Sequence, residues 1–170
     1  MKIVFIGLGR MGFPMAGHLA MAGCDITVFN RSVKKSKLWT DKYNRPYSES
    51  LEDLPNDLDM VITCLKDDTS ILDILSNEHL INKVKPGGFI VDHSTTSVEL
   101  VRELYTFYKT NNIAFYDSPV SGGELGAQNG QLSVMIGGDV ASLNKIKPII
   151  QHYAKAVSYT HLRAHETIPD

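Results

Sequence analysis

The chain has 170 residues, of which 43% are hydrophobic, and this suits one domain with a packed core. Its formal net charge at neutral pH is −2, so the composition provides no basic surface for nucleic acid. No apolar run is long enough to cross a bilayer. From the charge we expect no nucleic-acid partner, and from the lack of such a run we expect no membrane partner.

Strand and helix patterns alternate along the chain. Predicted strands cover Lys2–Ile6, Asp25–Phe29, Met60–Leu65, Phe89–Asp92, Ala114–Asp117 and Leu132–Ile136. Predicted helices cover Met11–Met21, Val33–Asp41, Ser48–Leu54, Thr69–Leu75, Val98–Tyr108 and Ala141–Ala154. This alternation predicts an α/β fold with a doubly wound, mainly parallel sheet and right-handed crossovers.

Three glycines separate the first strand from the first helix in the spacing G-x-G-x-x-G. Gly7 permits a sharp turn, Gly9 leaves the backbone open to a pyrophosphate, and Gly12 lets the helix pack closely on the sheet. The helix N-terminus adds free N–H groups and a positive dipole end. The segment predicts the dinucleotide-binding turn of a Rossmann fold, although the spacing alone also fits a purely structural turn.

The residues that follow the second predicted strand indicate which nicotinamide cofactor the protein prefers. An acidic residue about 20 positions beyond the glycines binds the ribose 2′-hydroxyl of NAD in such folds. This chain instead has Asn30, Arg31 and Ser32, and a guanidinium can bind a 2′-phosphate that a carboxylate would repel. The sequence therefore favours NADP(H) over NAD(H), with an ordinary polar turn as the alternative.

Two further polar segments follow predicted strands. The first, V-D-H-S-T-T at residues 91–96, places hydroxyls where they could contact the ribose or nicotinamide. Thr96 also fits the N-cap of the following helix, and His93 is interpreted as a structural polar residue rather than a base. The second segment, D-S-P-V-S-G-G, presents Ser121, Gly122 and Gly123, whose hydroxyl and accessible N–H groups suit a carboxylate. A plain flexible loop is an equal alternative.

Three segments together resemble the β-hydroxyacid dehydrogenase family. Its members include 3-hydroxyisobutyrate dehydrogenase, tartronate semialdehyde reductase and glyoxylate/succinic semialdehyde reductase. The segments are F-I-G-L-G-R-M-G-F-P-M-A-G-H-L, D-S-P-V-S-G-G and Q-L-S-V-M-I-G-G-D, and the resemblance extends from Met1 to Tyr153. It implies hydride transfer between a nicotinamide and the carbinol carbon of a small β-hydroxyacid or its semialdehyde. NADP(H) is the preferred cofactor, and NAD(H) stays an option.

The resemblance also assigns site residues. The pyrophosphate is expected to bind Gly7, Leu8, Gly9, Arg10, Met11 and Gly12. Leu65 and Lys66 would border the adenosine, Thr95 would reach the nicotinamide, and the substrate carboxylate would contact Ser121, Gly122 and Gly123. The family often has proline in place of Lys66 and asparagine in place of His18.

The family's general acid/base is a lysine in a second, all-helical domain, and none of the lysines in this chain matches its motif. We therefore expect only the N-terminal cofactor domain, inactive alone, with homo-oligomers forming through the missing domain. A non-catalytic NADP-binding module and an imine reductase-like relative are the alternatives. Two cysteines outside any metal-ligand pattern and a first strand that leaves no room for a targeting peptide favour a cytoplasmic protein.

The end of the sequence looks foreign to this domain. Residues 157–167 read V-S-Y-T-H-L-R-A-H-E-T, which resembles the translation of a transposase-type DNA sequencing adapter. We therefore predict an NADP-binding domain at residues 1–156 and a non-native tail at residues 157–170. His161 and His165 mimic a helical metal pair, but no glutamate follows His161, and no metal site is expected.

Overall fold

The computed structural model of the chain describes residues 1–160. Strands are β1 Lys2–Ile6, β2 Asp25–Phe29, β3 Tyr47–Ser48, β4 Leu58–Thr63, β5 Val84–Asp92, β6 Ala114–Asp117, β7 Val120–Ser121, β8 Leu132–Gly137 and β9 Ala154–Thr160. Helices are α1 Gly12–Met21, α2 Val33–Tyr43, α3 Asp68–Leu75, α4 Glu78–Lys83, α5 Val98–Thr110, α6 Gly123–Gln128 and α7 Leu143–Ile150. A 3-10 turn at Val140–Ser142 precedes α7.

The strands of residues 1–160 form one sheet in the order β3-β2-β1-β4-β5-β6-β8-β7, and β9 pairs with β8. The first six strands in this order run parallel. β8 is antiparallel to both β6 and β7, while β9 runs parallel to β8. The predicted α/β fold with a doubly wound, mainly parallel Rossmann sheet is confirmed.

Two apolar layers cover the two faces of the sheet. Along β1, Ile3 and Phe5 belong to one buried cluster, whereas Val4 and Ile6 belong to the other. This alternation follows from the two-residue period of a strand, and burial on both faces explains the continuous apolar run. α1, α2 and α7 pack on the first face, and α3, α4 and α5 on the second.

Several predicted element boundaries are wrong: β4 covers Leu58–Thr63 rather than Met60–Leu65, and β5 begins at Val84 rather than Phe89. Ser48–Leu54, predicted as a helix, begins at the end of β3 and continues through bends and turns. The last predicted helix ends at Ile150, four residues early, because the chain turns at residues 151–153 into β9. Thr96 does not cap α5: the Ser97 hydroxyl accepts the Leu100 N–H at 3.3 Å instead.

β9 crosses the predicted domain boundary between residues 156 and 157. Residues 157–160 pair in register with residues 134–137 of β8, and the Tyr159 hydroxyl donates to the Gly138 carbonyl at 2.7 Å. A backbone ladder does not require particular side chains, and Val, Tyr and Thr all favour strands. The foreign origin of residues 157–170 stays a prediction, and the His161–His165 pair lies outside the described residues.

Candidate functional site

The predicted site residues lie along one edge of the sheet. β1, β2, β4, β5 and β6 run parallel, so the segments that follow their carboxyl ends meet at the same edge. The glycine turn follows β1, Asn30–Ser32 follow β2, Leu65 and Lys66 follow β4, and Thr95 follows β5. The strand order reverses between β1 and β4, which is where open α/β sheets bind their ligands.

The glycines of the turn after β1 have different structural requirements. Gly7 has φ +107°, and a Cβ there would lie 2.2 Å from the Cys64 carbonyl oxygen. A Cβ on Gly12 would lie 1.9 Å from the Gly7 carbonyl oxygen. A Cβ on Gly9 would have no neighbour within 4 Å. The fold therefore requires Gly7 and Gly12, whereas the space in front of Gly9 is open and can admit a pyrophosphate.

The Asn30 side chain holds the glycine turn. Its Oδ1 accepts the Leu8 N–H at 2.9 Å, and its Nδ2 donates to the Ser32 carbonyl at 3.2 Å. The amide thus connects the turn after β1 with the loop after β2. Asn30, which the sequence places among the cofactor-binding residues, thus uses its Oδ1 and one Nδ2 N–H within the protein.

A cavity of about 260 Å³ lies between the glycine turn and α3. Its rim includes Arg31, whose Nη2 lies 3.2 Å from Asp73 Oδ2 of α3. Both side chains are largely exposed to solvent. The cavity is lined by Ile6, Gly7, Gly9, Phe29, Asn30, Arg31, Cys64, Leu65, Lys66, Ser70 and Ile74. The structure thus brings the glycine turn, Asn30, Arg31, Leu65 and Lys66 together around one cavity.

A second cavity of about 320 Å³ lies on the other side of the turn and is lined in part by Leu8, Gly9 and Arg10. Lys35 and Lys42 of α2 contribute positive charge to it. The first turn of α1 begins here, with Met11 at its N-cap position and the Phe13 N–H bonded to the Gly9 carbonyl at 3.0 Å. The predicted pyrophosphate-binding segment therefore lies between two open cavities.

A buried carboxyl organises the loop after β5. Asp92 Oδ1 accepts hydrogen bonds from the Thr63 hydroxyl at 2.8 Å and from the Ser94 N–H at 3.0 Å. Its Oδ2 accepts the Thr96 hydroxyl at 2.5 Å. Burial raises the pKa of Asp92, and the hydrogen bonds from Thr96, Ser94 and Thr63 lower it. Thr95 is exposed and lies between Ser94 and Thr96, both of which donate hydrogen bonds to Asp92.

The thiol beside this carboxyl is inert. Burial, with a smaller contribution from the Asp92 charge, raises the pKa of Cys64 to about 12. A thiolate is the nucleophilic form, so Cys64 is not a nucleophile at neutral pH. Its role at the cavity wall is to pack.

His93 is a structural residue, as its position within the buried strand end indicates. Its Nδ1 lies 2.6 Å from the Ser118 carbonyl and its Nε2 lies 2.7 Å from the Tyr153 hydroxyl. A carbonyl only accepts, so Nδ1 carries the proton and Nε2 accepts from Tyr153. Burial lowers the pKa of His93 to about 4, with the Ser118 hydrogen bond acting in the opposite direction. The neutral imidazole ties β5 to the segment before β9.

Ser121, Gly122 and Gly123 are exposed where β7 leads into α6. Gly122 and Gly123 have φ +125° and +63°, conformations that side chains rarely adopt. Ser121 also lines an open groove of about 430 Å³ along β7, β8 and β9. Through Glu124, α6 shares the 320 Å³ cavity with Gly9 and Arg10, whereas Ser121 itself lines the separate groove.

His18 joins these two parts of the site. Its Nε2 lies 2.9 Å from the Ala127 carbonyl and 3.0 Å from the Gln128 carbonyl at the end of α6. An imidazole N–H can donate to these carbonyls across the α1–α6 contact. The unusual residue that the sequence marks at this position therefore holds the carboxylate-side helix on α1.

Four contributors to the site were not predicted as such: His18, Asp73, Asp92 and Ser94. Asp92 and Ser94 fall within the segment 91–96, whose polar character at a strand end was the available signal. No signal near Arg31 in the sequence points to Asp73, 42 positions away. Within residues 1–160, no group of three or more potential ligands could hold a metal ion, and no helix is long and apolar enough to span a bilayer.

Comparison with known proteins gives consistent similarities. The family profile described as the NAD binding domain of 6-phosphogluconate dehydrogenase matches residues 2–161. An uncharacterised oxidoreductase of Shewanella frigidimarina is 42% identical over 155 residues, which are 91% of this chain and 53% of that protein. An NAD-dependent L-serine dehydrogenase of Pseudomonas aeruginosa is 32% identical over 151 residues, 88% and 50% of the two chains.

A solved structure shows the same similarity in three dimensions. The 3-hydroxyisobutyrate dehydrogenase of Mycobacterium tuberculosis, described with L-serine, superposes with a TM-score of 0.85 at 27% identity. The match covers 93% of this chain and 53% of that one. The chain thus spans about half the length of the relatives that it matches.

Proposed function

Because the chain belongs to the family described as the NAD binding domain of 6-phosphogluconate dehydrogenase, we propose that it is the cofactor domain of an NADP(H)-linked β-hydroxyacid dehydrogenase. The substrate is a small β-hydroxyacid or its semialdehyde. The nicotinamide supplies or accepts the hydride at the CH–OH carbon. The observation that carries the proposal is the cavity at one sheet edge that the glycine turn and Arg31 line together. Glu124 of α6, the helix that follows Ser121, lines the second cavity beside the same turn.

The glycine turn supports pyrophosphate binding. Gly9 faces open space, and the first turn of α1 follows directly, so a bound anion would meet a helix N-terminus without a side chain in its path. A turn with a merely structural role would need Gly7 and Gly12, but it would not need a glycine at position 9. The open space at Gly9 therefore favours the functional interpretation of the fingerprint.

Arg31 supports a preference for NADP(H). It stands at the rim of the 260 Å³ cavity, where the adenosine ribose would lie, and the loop offers no carboxylate at positions 30–32 to a 2′-hydroxyl. The Pseudomonas relative is named as NAD-dependent, so membership of the family does not decide the cofactor. The proposal of NADP(H), with NAD(H) as the second cofactor, rests on Arg31.

The substrate class rests on the Ser121 segment and on two relatives. L-serine and 3-hydroxyisobutyrate, the compounds in those relatives' names, are both carboxylates with a hydroxyl on the β-carbon. Ser121, Gly122 and Gly123 can bind such a carboxylate through a hydroxyl and backbone N–H groups. This segment argues against an imine reductase-like relative, because it fits a carboxylate.

Turnover needs a proton donor from elsewhere. The family's lysine belongs to a second, helical domain, and this chain covers about half of its relatives' length. We propose that the chain alone binds the cofactor without turnover, and that oligomers form through the second domain. If the function is instead that of a non-catalytic module, the cofactor site would be complete within this chain.

The free thiols Cys24 and Cys64 support a reducing, cytoplasmic location.

Titration of the 170-residue chain with NADPH and NADH tests the proposal. NADPH is expected to bind about tenfold more tightly, as for one charge-assisted contact with the 2′-phosphate. Arg31→Gln should remove most of that advantage and leave NADH binding unchanged. Equal affinities in the parent chain would contradict the cofactor preference, and binding of neither cofactor would contradict the proposed function.

A further inference from the structure

Arg31 forms an ion pair with a carboxylate of α3, a helix that also lines its cavity. Asp73 lies on α3, whose residues Ser70 and Ile74 line the 260 Å³ cavity. Its Oδ2 is 3.2 Å from Arg31 Nη2. The ion pair therefore joins the loop after β2 to α3 beside the cavity, and Asp73 occupies one N–H group of the Arg31 guanidinium.

A second carboxylate also acts on Arg31. Asp67, the N-cap residue of α3, accepts the Ser70 N–H at 2.8 Å. Its pKa is lowered chiefly by the hydrogen bonds from Ser70, and the charges of Lys66 and Arg31 contribute as well. Asp67 is fixed by its capping role, whereas Asp73 is held at the rim by Arg31. Of the two acids, Asp73 is the one whose removal leaves the helix cap intact.

We propose that Asp73 sets the chain's discrimination between NADP(H) and NAD(H) by competing with the 2′-phosphate for Arg31. This inference rests on the proposed function, because it assumes that the adenosine half binds in this cavity. The 2′-phosphate must share the guanidinium with Asp73 or replace the carboxylate. It also brings negative charge close to Asp73, and both effects weaken NADP(H) without touching NAD(H).

The size of the effect follows from the exposure of the pair. The Arg31 and Asp73 side chains are 73% and 64% exposed, so solvent screens their attraction and the repulsion of the phosphate. An exposed pair of this kind changes binding by about two- to fivefold, and the repulsion adds a similar factor. We expect removal of the Asp73 charge to tighten 2′-phosphate binding by about three- to tenfold in total.

The adenosine halves of the cofactors are the sharpest probes. 2′,5′-ADP and 5′-AMP differ only in the 2′-phosphate, and neither requires the nicotinamide site or a second domain. In calorimetric titrations of the 170-residue chain at low salt, Asp73→Asn should tighten 2′,5′-ADP about three- to tenfold and change 5′-AMP less than about twofold. The gain should shrink at high salt, because both contributions are Coulombic.

Three further variants separate charge from structure. Asp73→Glu keeps the charge and should bind like the parent. Asp25→Asn makes the same substitution at an exposed residue, which is the first residue of β2, whereas Arg31 follows the other end of that strand. This control variant should leave the affinity for both ligands unchanged. In an Arg31→Gln background, Asp73→Asn should give a smaller gain, since only the repulsion remains.

The results distinguish this inference from the proposed function. If Asp73→Asn changes both ligands equally, or no more than Asp25→Asn does, Asp73 does not control discrimination. If the parent binds the two ligands equally and Asp73→Asn tightens 2′,5′-ADP alone, the inference holds while the preference proposed for the parent fails. Binding of neither ligand by the parent and the variants overturns both.

Discussion

The Ser94 hydroxyl accepts the Leu65 N–H at 2.8 Å and thereby joins the loop after β4 to the loop after β5. Ser94 is itself held through its own N–H by the buried Asp92 carboxyl. Leu65 lines the cavity proposed for adenosine, and Thr95, beside Ser94, is the residue that the family resemblance assigns to the nicotinamide side. One serine therefore connects the two halves of the proposed cofactor site.

Ser94→Ala should reveal this connection. The substitution leaves the Leu65 N–H without its acceptor, which costs about 1 kcal/mol of folding free energy or slightly more. NADPH affinity should fall several-fold, because both loops lose a fixed position. Thermal denaturation and calorimetric titration measure the two effects. Ser76→Ala, which removes an exposed hydroxyl at the end of α3, is the matched control and should leave NADPH affinity unchanged.

Substitutions of the glycines should separate folding from binding. Gly9→Val adds a side chain to open space, so the melting temperature should change little while binding of NADPH and NADH is lost. Gly12→Ala places a methyl group 1.9 Å from the Gly7 carbonyl oxygen and should lower the melting temperature markedly. A stable Gly9→Val variant that binds both cofactors normally would mean that the turn is only structural.

The sequence predicted the repeating core of the fold well, because period and turn chemistry determine these elements locally. β2 and β6 have the predicted bounds, and the glycine turn lies where its spacing indicates. α4 and α6 were missed, since six-residue helices depend on caps and packing more than on their own periodicity. The Arg31–Asp73 pair could not be predicted either, because it depends on how two elements 42 positions apart are placed by the sheet.

The stability of the chain should depend on pH through His93. Its pKa is about 4 in the folded chain, below the ordinary value of 6.5, so the unfolded chain binds the proton first as the pH falls. The contribution of His93 to the free energy of unfolding is therefore complete above pH 6.5. As the pH falls towards 4, this free energy decreases by an amount on the order of 3 kcal/mol. The raised pKa of the neighbouring Asp92 acts with the opposite sign, since stability falls as the pH rises through it.

A His93→Gln variant isolates this contribution. Its amide can still donate to the Ser118 carbonyl, but it does not titrate. The difference in unfolding free energy between the parent and His93→Gln should therefore decrease between pH 6.5 and pH 4. His152→Gln removes an exposed histidine of the same chain and serves as the control. Parallel pH profiles for the parent and His93→Gln would show that His93 is not buried in its neutral form.

Truncation tests both the strand and the predicted foreign tail. Residues 157–160 continue the β8–β9 ladder, and Tyr159 adds a side-chain hydrogen bond to Gly138. A chain that ends at residue 156 loses several such bonds, each worth about 1 kcal/mol, and should melt roughly 5 °C or more below a chain that ends at residue 160. Tyr159→Phe removes only the hydroxyl and should account for a minor part of the difference.

A chain that ends at residue 160 should match the 170-residue chain in melting temperature and in NADPH affinity, if residues 161–170 derive from an adapter. A clear loss in either quantity would mean that these residues belong to the native protein, as would source DNA in which the same codons continue into a gene. Equal melting temperatures for the chains ending at residues 156 and 160 would instead mean that the outer half of β9 contributes nothing to stability. The strand and the origin of its last residues are thus separate questions, because a ladder of backbone hydrogen bonds can form on any sequence that favours an extended conformation.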